Sequence, residues 1–207
     1  MRYITIIFIF IIASSCVDKK QYATLDEIQV VRTSRDYSYL LNGLLYTGVI
    51  KKIINSSEQI SFSVFEGKLQ GKYFEYHPNG SQKIVCNYKN GDLNGQWSSY
   101  YDNDQLSEEV FYQEGLMQGK RTAYWRNGNI KEHNQFSRGA IVGVSEFYHS
   151  NGNLRKIISF DANGNRDGDW MDYHPNGKIK QKISYQSGKI IDSLVRYNLE
   201  GEIIINQ

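Results

Sequence analysis

Proline is nearly missing from this chain of 207 residues: there are two. Both stand in one tetrapeptide used twice, His77-Pro78-Asn79-Gly80 and His174-Pro175-Asn176-Gly177. Cysteine is as scarce, with only Cys16 and Cys86, which excludes a disulfide framework and a Cys-x-x-Cys metal site. The formal net charge is only +2 and no long basic run occurs. A nucleic-acid partner needs a concentrated basic stripe to neutralise phosphates, so none is expected. The one long apolar run, Tyr3 to Ala13, has about eleven residues, short of the roughly twenty that a spanning helix needs. A base beside a nucleophile, paired carboxylates, a phosphate loop and zinc spacing are all missing as patterns. No catalysis, cofactor or metal is therefore expected.

What is abundant points to strands and turns. The chain carries 16 Tyr and 18 Gly, and 14% of its residues are aromatic. Aromatic rings sit well on a pleated surface, and glycine supplies the left-handed corners of tight turns.

The N-terminus reads as an export signal. A short basic start, Met1-Arg2, precedes the apolar run, and Ala13-Ser14-Ser15-Cys16 follows it. This box resembles the lipoprotein type, in which the cysteine is lipidated and becomes the new N-terminus. Ala13 and Ser15 also satisfy an ordinary cleavage site. Both routes cut after Ser15 and differ in whether Cys16 carries lipid. The expected organisation is a signal over 1–15, a lipidated cysteine and tether over 16–35, an opening unit over 36–66, and a repeat array over 67–207. Cys86, between Val85 and Tyr88 in an apparent strand, is expected to be a buried, inert thiol.

The array is written in the spacing. Gly67, Gly91, Gly115, Gly139, Gly164 and Gly188 recur at 24 residues, with one step of 25. A second series is Gly71, Gly95, Gly119, Gly143 and Gly168, and Asp192 takes its place in the next unit. Tyr76, Tyr100, Tyr124, Tyr148, Tyr173 and Tyr197 keep the same register. Asn-Gly turn pairs such as Asn79-Gly80 and Asn127-Gly128 follow the tyrosines. A short aromatic strand, a turn, and a returning strand make each unit a β-hairpin. The fold class is all-β: an elongated, open antiparallel meander of about six repeated hairpins. At roughly 10 Å per hairpin it forms a rod about 60–70 Å long.

The stretches GKYFEYHPNGSQKI, GQWSSYYDNDQL and GDWMDYHPNGKIKQKISYQSG carry a resemblance to the MORN repeat, in its variant form. The resemblance covers roughly Asn42 to Glu202, and YSYLLNGLLYTGVIKKI resembles the usual opening of such arrays. Arg121 and Ser145 stand where other units have Trp97 and Trp170, so those rungs are expected to pack less well. The resemblance implies a MORN-type sheet. Its bacterial members are often labelled antitoxins, which implies neutralisation of a partner protein.

Function is then expected from a surface. The candidate binding surface is Tyr73, Tyr76, Trp97, Tyr100, Tyr124, Trp125, Tyr148, Trp170 and Tyr173, with Cys16 as the lipidation site. The same ladder also reads as packing between rungs. His77, His149 and His174 share one repeat position and read as solvent residues at turn edges. Asp167 and Asp169 read as solvent-facing too. The expected role is an exported, lipid-anchored, protein-binding or scaffold module at the cell envelope. Carbohydrate or cell-wall binding through exposed aromatics, and antitoxin-like neutralisation, are the alternatives. The apolar GEIIINQ segment suggests an edge-to-edge homodimer.

Overall fold

The structure, a computed structural model, describes residues 22–32 and 37–204. The export signal and Cys16 lie outside the described residues. A sheet of 16 strands runs through the repeats. From Gly48–Ile54 to Ile179–Gln186 its main strands follow one another in antiparallel pairs, as the period predicts.

Two kinds of turn alternate along the two long edges. On one edge lie two-residue turns such as Asn90-Gly91, with φ of +53° and +96°. Both corners are left-handed, the twist that suits an antiparallel ribbon. On the other edge lie turns such as His77–Ser81. There Gly80 N–H donates to the His77 carbonyl and His77 N–H to the Ser81 carbonyl. Proline fits the first corner, and Gly80, at φ +88°, takes the left-handed position. The register slips by one residue beside this turn, between Glu75 and Tyr76.

Side chains tie each turn to the next one. His77 Nε2 lies 2.9 Å from the Tyr100 carbonyl, and His174 Nε2 lies 3.0 Å from that of Tyr197. A ring nitrogen facing a carbonyl must carry the proton, so both histidines donate. In the same repeat position the Tyr101 hydroxyl donates to the Tyr124 carbonyl at 2.8 Å, and Trp125 Nε1 to that of Tyr148 at 3.2 Å. The turn asparagines act alongside: Asn79 Nδ2 donates to the Asp102 carbonyl at 2.7 Å, while its Oδ1 accepts from Ser81 N–H at 3.1 Å. The opposite edge is stitched likewise. Gln70 Oε1 accepts from Asn90 N–H, and Gln118 Oε1 from Arg138 N–H, each at 2.8 Å. These histidines are half-buried donors rather than solvent residues, because each reaches a backbone carbonyl on the neighbouring rung. Asp167 and Asp169 are also engaged: Asp167 Oδ1 accepts from Ser187 N–H, and Asp169 accepts from the Ser184 hydroxyl and from Lys182.

The N-terminal end departs from plain repetition. Tyr22–Thr24 pairs in parallel with Gly48–Ile54, and a short 3-10 turn, Leu25–Glu27, follows. Gln29–Arg32, Tyr37–Leu41 and Leu44–Leu45 form a separate three-stranded sheet. Residues 22–32 belong to the stretch expected as tether; here Tyr22–Thr24 joins the main sheet, Ala23 and Ile28 are buried in its core, and Gln29–Arg32 joins the small sheet. The small sheet and the 3-10 turn cover the first strands of one face. Ala23, Ile28, Ile50, Phe62 and Val64 are buried together, with Leu25, Tyr39 and Tyr46 packed on them. Rings continue inward as Tyr39–Phe62 at 5.3 Å, Phe62–Tyr73 at 5.9 Å and Tyr73–Tyr88 at 5.9 Å. This end is a terminal cap of the kind a stacked-repeat protein needs.

Turn stitching has a measurable cost when broken. Asn79→Ala removes one bond between rungs and two within the turn, from the Ser81 N–H and the Ser81 hydroxyl, and lowers stability by about 1–2 kcal/mol in thermal unfolding. His149 occupies the stitching position, yet its Nε2 is buried with no hydrogen-bond partner. His149→Tyr, which copies Tyr101, gains the missing bond and raises stability by about 1 kcal/mol. A loss of stability in that variant refutes the stitching account.

Candidate binding faces

Side chains alternate across a strand, so the sheet sorts its residues onto two faces. Tyr73 and Tyr76 are three residues apart in one strand and point to opposite sides. The nine aromatic candidates therefore divide into three groups. Tyr73, Trp97 and Trp170 lie on the face that carries the cap. Tyr76, Tyr100, Tyr124, Tyr148 and Tyr173 lie on the other face. Trp125 belongs to the turn edge, where its indole bonds the next rung and Lys131 sits 5.1 Å above its ring. All nine are half-buried.

On the capped face, cross-strand pairing aligns Phe62, Tyr73 and Cys86, then Trp97 with Val110, Arg121 with Asn134, and Trp170 with Ile183. Cys86 and Val110 are each 1% exposed. Burial pushes the Cys86 thiol up to about 11, so it stays protonated and inert at neutral pH. Burial likewise pushes the Tyr73 hydroxyl up to about 12. At the far end Trp170 contacts Phe160 and Tyr185, with the Arg166 guanidinium 4.4 Å from its ring centre.

Arg121 replaces the aromatic of other rungs with an ion triad. Its Nε and Nη2 donate to both oxygens of Glu108 at 2.6 and 2.9 Å, and its Nη1 pairs with Glu132. Ala123, buried, pairs with Glu108 on one side and Glu132 on the other. A small side chain there leaves room for the guanidinium to lie across the strand. Asn134 Nδ2 adds a bond to Glu132 at 2.8 Å. Arg121→Met strands two half-buried carboxylates and lowers stability by about 2 kcal/mol, measured by chemical unfolding.

The other face is open and more polar. One unbroken cross-strand row runs through Ser98, Glu109, Thr122, His133, Glu146 and Ile157. The tyrosine ladder runs beside it. Tyr124 Oη donates to Glu109 at 2.8 Å, and Tyr148 Oη to Glu146 at 2.9 Å. Burial raises both hydroxyls above the ordinary tyrosine range, and the hydrogen-bonded carboxylates push them further. The Thr122 hydroxyl and His133 Nδ1 lie 3.1 Å apart, and the His133 ring stands edge-on to Tyr148. Burial holds His133 below the usual imidazole range; Lys120 lowers it further, while Glu146 and Glu109 pull the other way.

Among the described residues no three His, Cys, Asp or Glu side chains converge as a metal site does. Asp161, at the start of the Asp161–Asn165 turn, spends its carboxylate on Asn163 N–H, Asn165 N–H and Asn165 Nδ2. The sequence signal missed the two-carboxylate row on the open face. Only parity along each strand together with the pairing register brings Glu109 and Glu146 to one side.

The geometry defines a class: an open array of stacked β-hairpins. The chain belongs to the MORN repeat variant family, which matches residues 69–90, 93–114, 117–137, 141–165 and 166–187, more than half of its length. Repeats of this family are non-catalytic modules that bind proteins or membrane lipids. No curated protein matches the chain.

A depressed histidine fixes the sign of one pH effect. The unfolded state binds a proton at His133 more readily than the folded state does. Stability is therefore full above about pH 6.5, the ordinary imidazole value, and falls as the pH drops through it. His133→Gln removes that share of the acid sensitivity, which thermal melts between pH 7.5 and 5 will report.

Proposed function

We propose that the protein is an exported, lipid-anchored scaffold at the cell envelope that recruits another protein through its sheet. The observation that carries this reading is the long sheet with one face that no other described strand or helix covers. Its tyrosines and carboxylates are half-buried and preorganised, and no strand or helix among the described residues lies above them. The export signal and the Ala13-Ser14-Ser15-Cys16 box supply the anchor.

Glycan binding through the tryptophans has less support from the geometry. Trp170 meets Phe160, Tyr185 and Arg166, and its Nε1 donates to the Ser159 carbonyl at 3.1 Å. Those contacts occupy ring surface that a sugar would need. Antitoxin-like neutralisation has no separate observation in its favour.

Mass spectrometry of the mature chain tests the anchor. The expected N-terminus is Cys16 bearing acyl chains, and Cys16→Ser is expected to move the protein out of the membrane fraction. An unmodified Cys16, or unchanged fractionation of the variant, overturns the anchoring. Affinity capture from gently solubilised membranes tests recruitment, and the absence of a reproducible partner counts against it.

A further inference from the structure

Most acidic side chains within the strands are paired with a cation. Glu58 pairs with Lys51, Glu75 with Lys83, Asp169 with Lys182 and Asp172 with Lys156. Glu108 and Glu132 share Arg121. Asp92, exposed at the first position of a two-residue strand beside a turn, needs no cation. Glu109 and Glu146 sit in mid-strand and half-buried, with no cation among the described residues. Each is held instead by a tyrosine hydroxyl, which fixes the carboxylate without neutralising it. Lys120, two residues from Thr122 in the same strand, is exposed and forms no ion pair with either carboxylate.

The two carboxylates have a defined spacing. Glu109 pairs with Thr122, Thr122 with His133, and His133 with Glu146. Three strand spacings separate them, about 14 Å. An extended peptide rises about 3.4 Å per residue, so its positions i and i+4 are about 14 Å apart and on the same side. Walls for long side chains flank the row. The tyrosine ladder runs on one side, and Phe111 and Val144, 47% and 52% exposed, lie on the other. Aliphatic stems of lysine and arginine lie well on such surfaces, and their cations favour aromatic faces.

We propose that the open face docks an extended segment of a partner protein that carries lysine or arginine at positions i and i+4, one cation on Glu109 and the other on Glu146. The segment crosses the strands and lies along the length of the array. Charge complementarity selects this occupant, since the row offers two unneutralised carboxylates, and it disfavours an anionic lipid surface. His133, between them, is kept neutral by burial and so adds no competing charge. The inference rests on the recruiting role proposed above.

The probes are fluorescein-labelled nine-residue peptides of threonine and valine. One carries arginine at positions 3 and 7, a second at positions 3 and 6, and a third carries glutamate at 3 and 7. Fluorescence anisotropy is measured with the full mature chain at low and at physiological salt. The 3,7-arginine peptide is expected to bind at least fivefold more tightly than the 3,6 peptide, and the glutamate peptide not at all. Glu109→Gln and Glu146→Gln should each weaken binding by about tenfold, with the fold checked by circular dichroism. Glu114→Gln, at an exposed turn, should leave it unchanged. Three results overturn the proposal: no binding of the 3,7 peptide at millimolar concentration, equal binding of the 3,6 peptide, or indifference to both glutamate substitutions. Capture of a membrane partner that is equally indifferent to both substitutions would sink this inference and leave the recruiting role standing.

Discussion

A sheet one layer thick has to secure its edges as firmly as its strands. Here the securing interaction is a hydrogen bond from a turn side chain to a backbone carbonyl one rung ahead. His77, Tyr101, Trp125 and His174 make it with different chemistries from one repeat position. What they share is a polar N–H or O–H on a flat ring long enough to reach across one hairpin. The asparagine two residues later closes its own turn and donates to the next. Each such bond gives a half-buried ring donor a backbone partner on the next rung, and losing it leaves that donor unmet. The stacking of strands, the register of the ladders and the separation of the faces all follow from turns held at a fixed interval.

Packing follows that frame but varies along it. At the N-terminal end a second small sheet and the parallel strand Tyr22–Thr24 build the one two-layered core of the described residues, around Ile50 and Phe62. At the middle rungs the capped face gives up aromatic stacking for the Arg121 triad. The triad neutralises two of three charges where the guanidinium and both carboxylates are largely shielded. Aromatic packing returns at Trp170 and Tyr185. The opposite face keeps its charges unneutralised at the same middle rungs, and that asymmetry gives the two faces different uses. One face carries the cap and the buried residues around it, and among the described residues nothing is packed over the other.

Much of this was legible in the residues. The glycine series fixed the hairpin period, and the turn residues fixed which end of each hairpin was which. The family resemblance pointed to the same fold. The histidines were harder to read. At a turn edge a histidine looks solvent-exposed in sequence, because the carbonyl it meets lies 23 residues away. The aromatic candidates also read as a single ladder, since periodicity alone does not say that three residues along a strand means the opposite side. Arg121 looked like a weak rung, and its two carboxylates come from neighbouring strands, 13 and 11 residues distant.

By itself, then, the sequence determined the repeat, the turn chemistry and the all-β class, since these depend on local backbone preferences and on a spacing that can be counted. Only the tertiary structure decided which side chains share a face, which charges are matched and which are left over. Those outcomes depend on pairing register between strands, and register is set by bulges and turns acting together across the whole sheet.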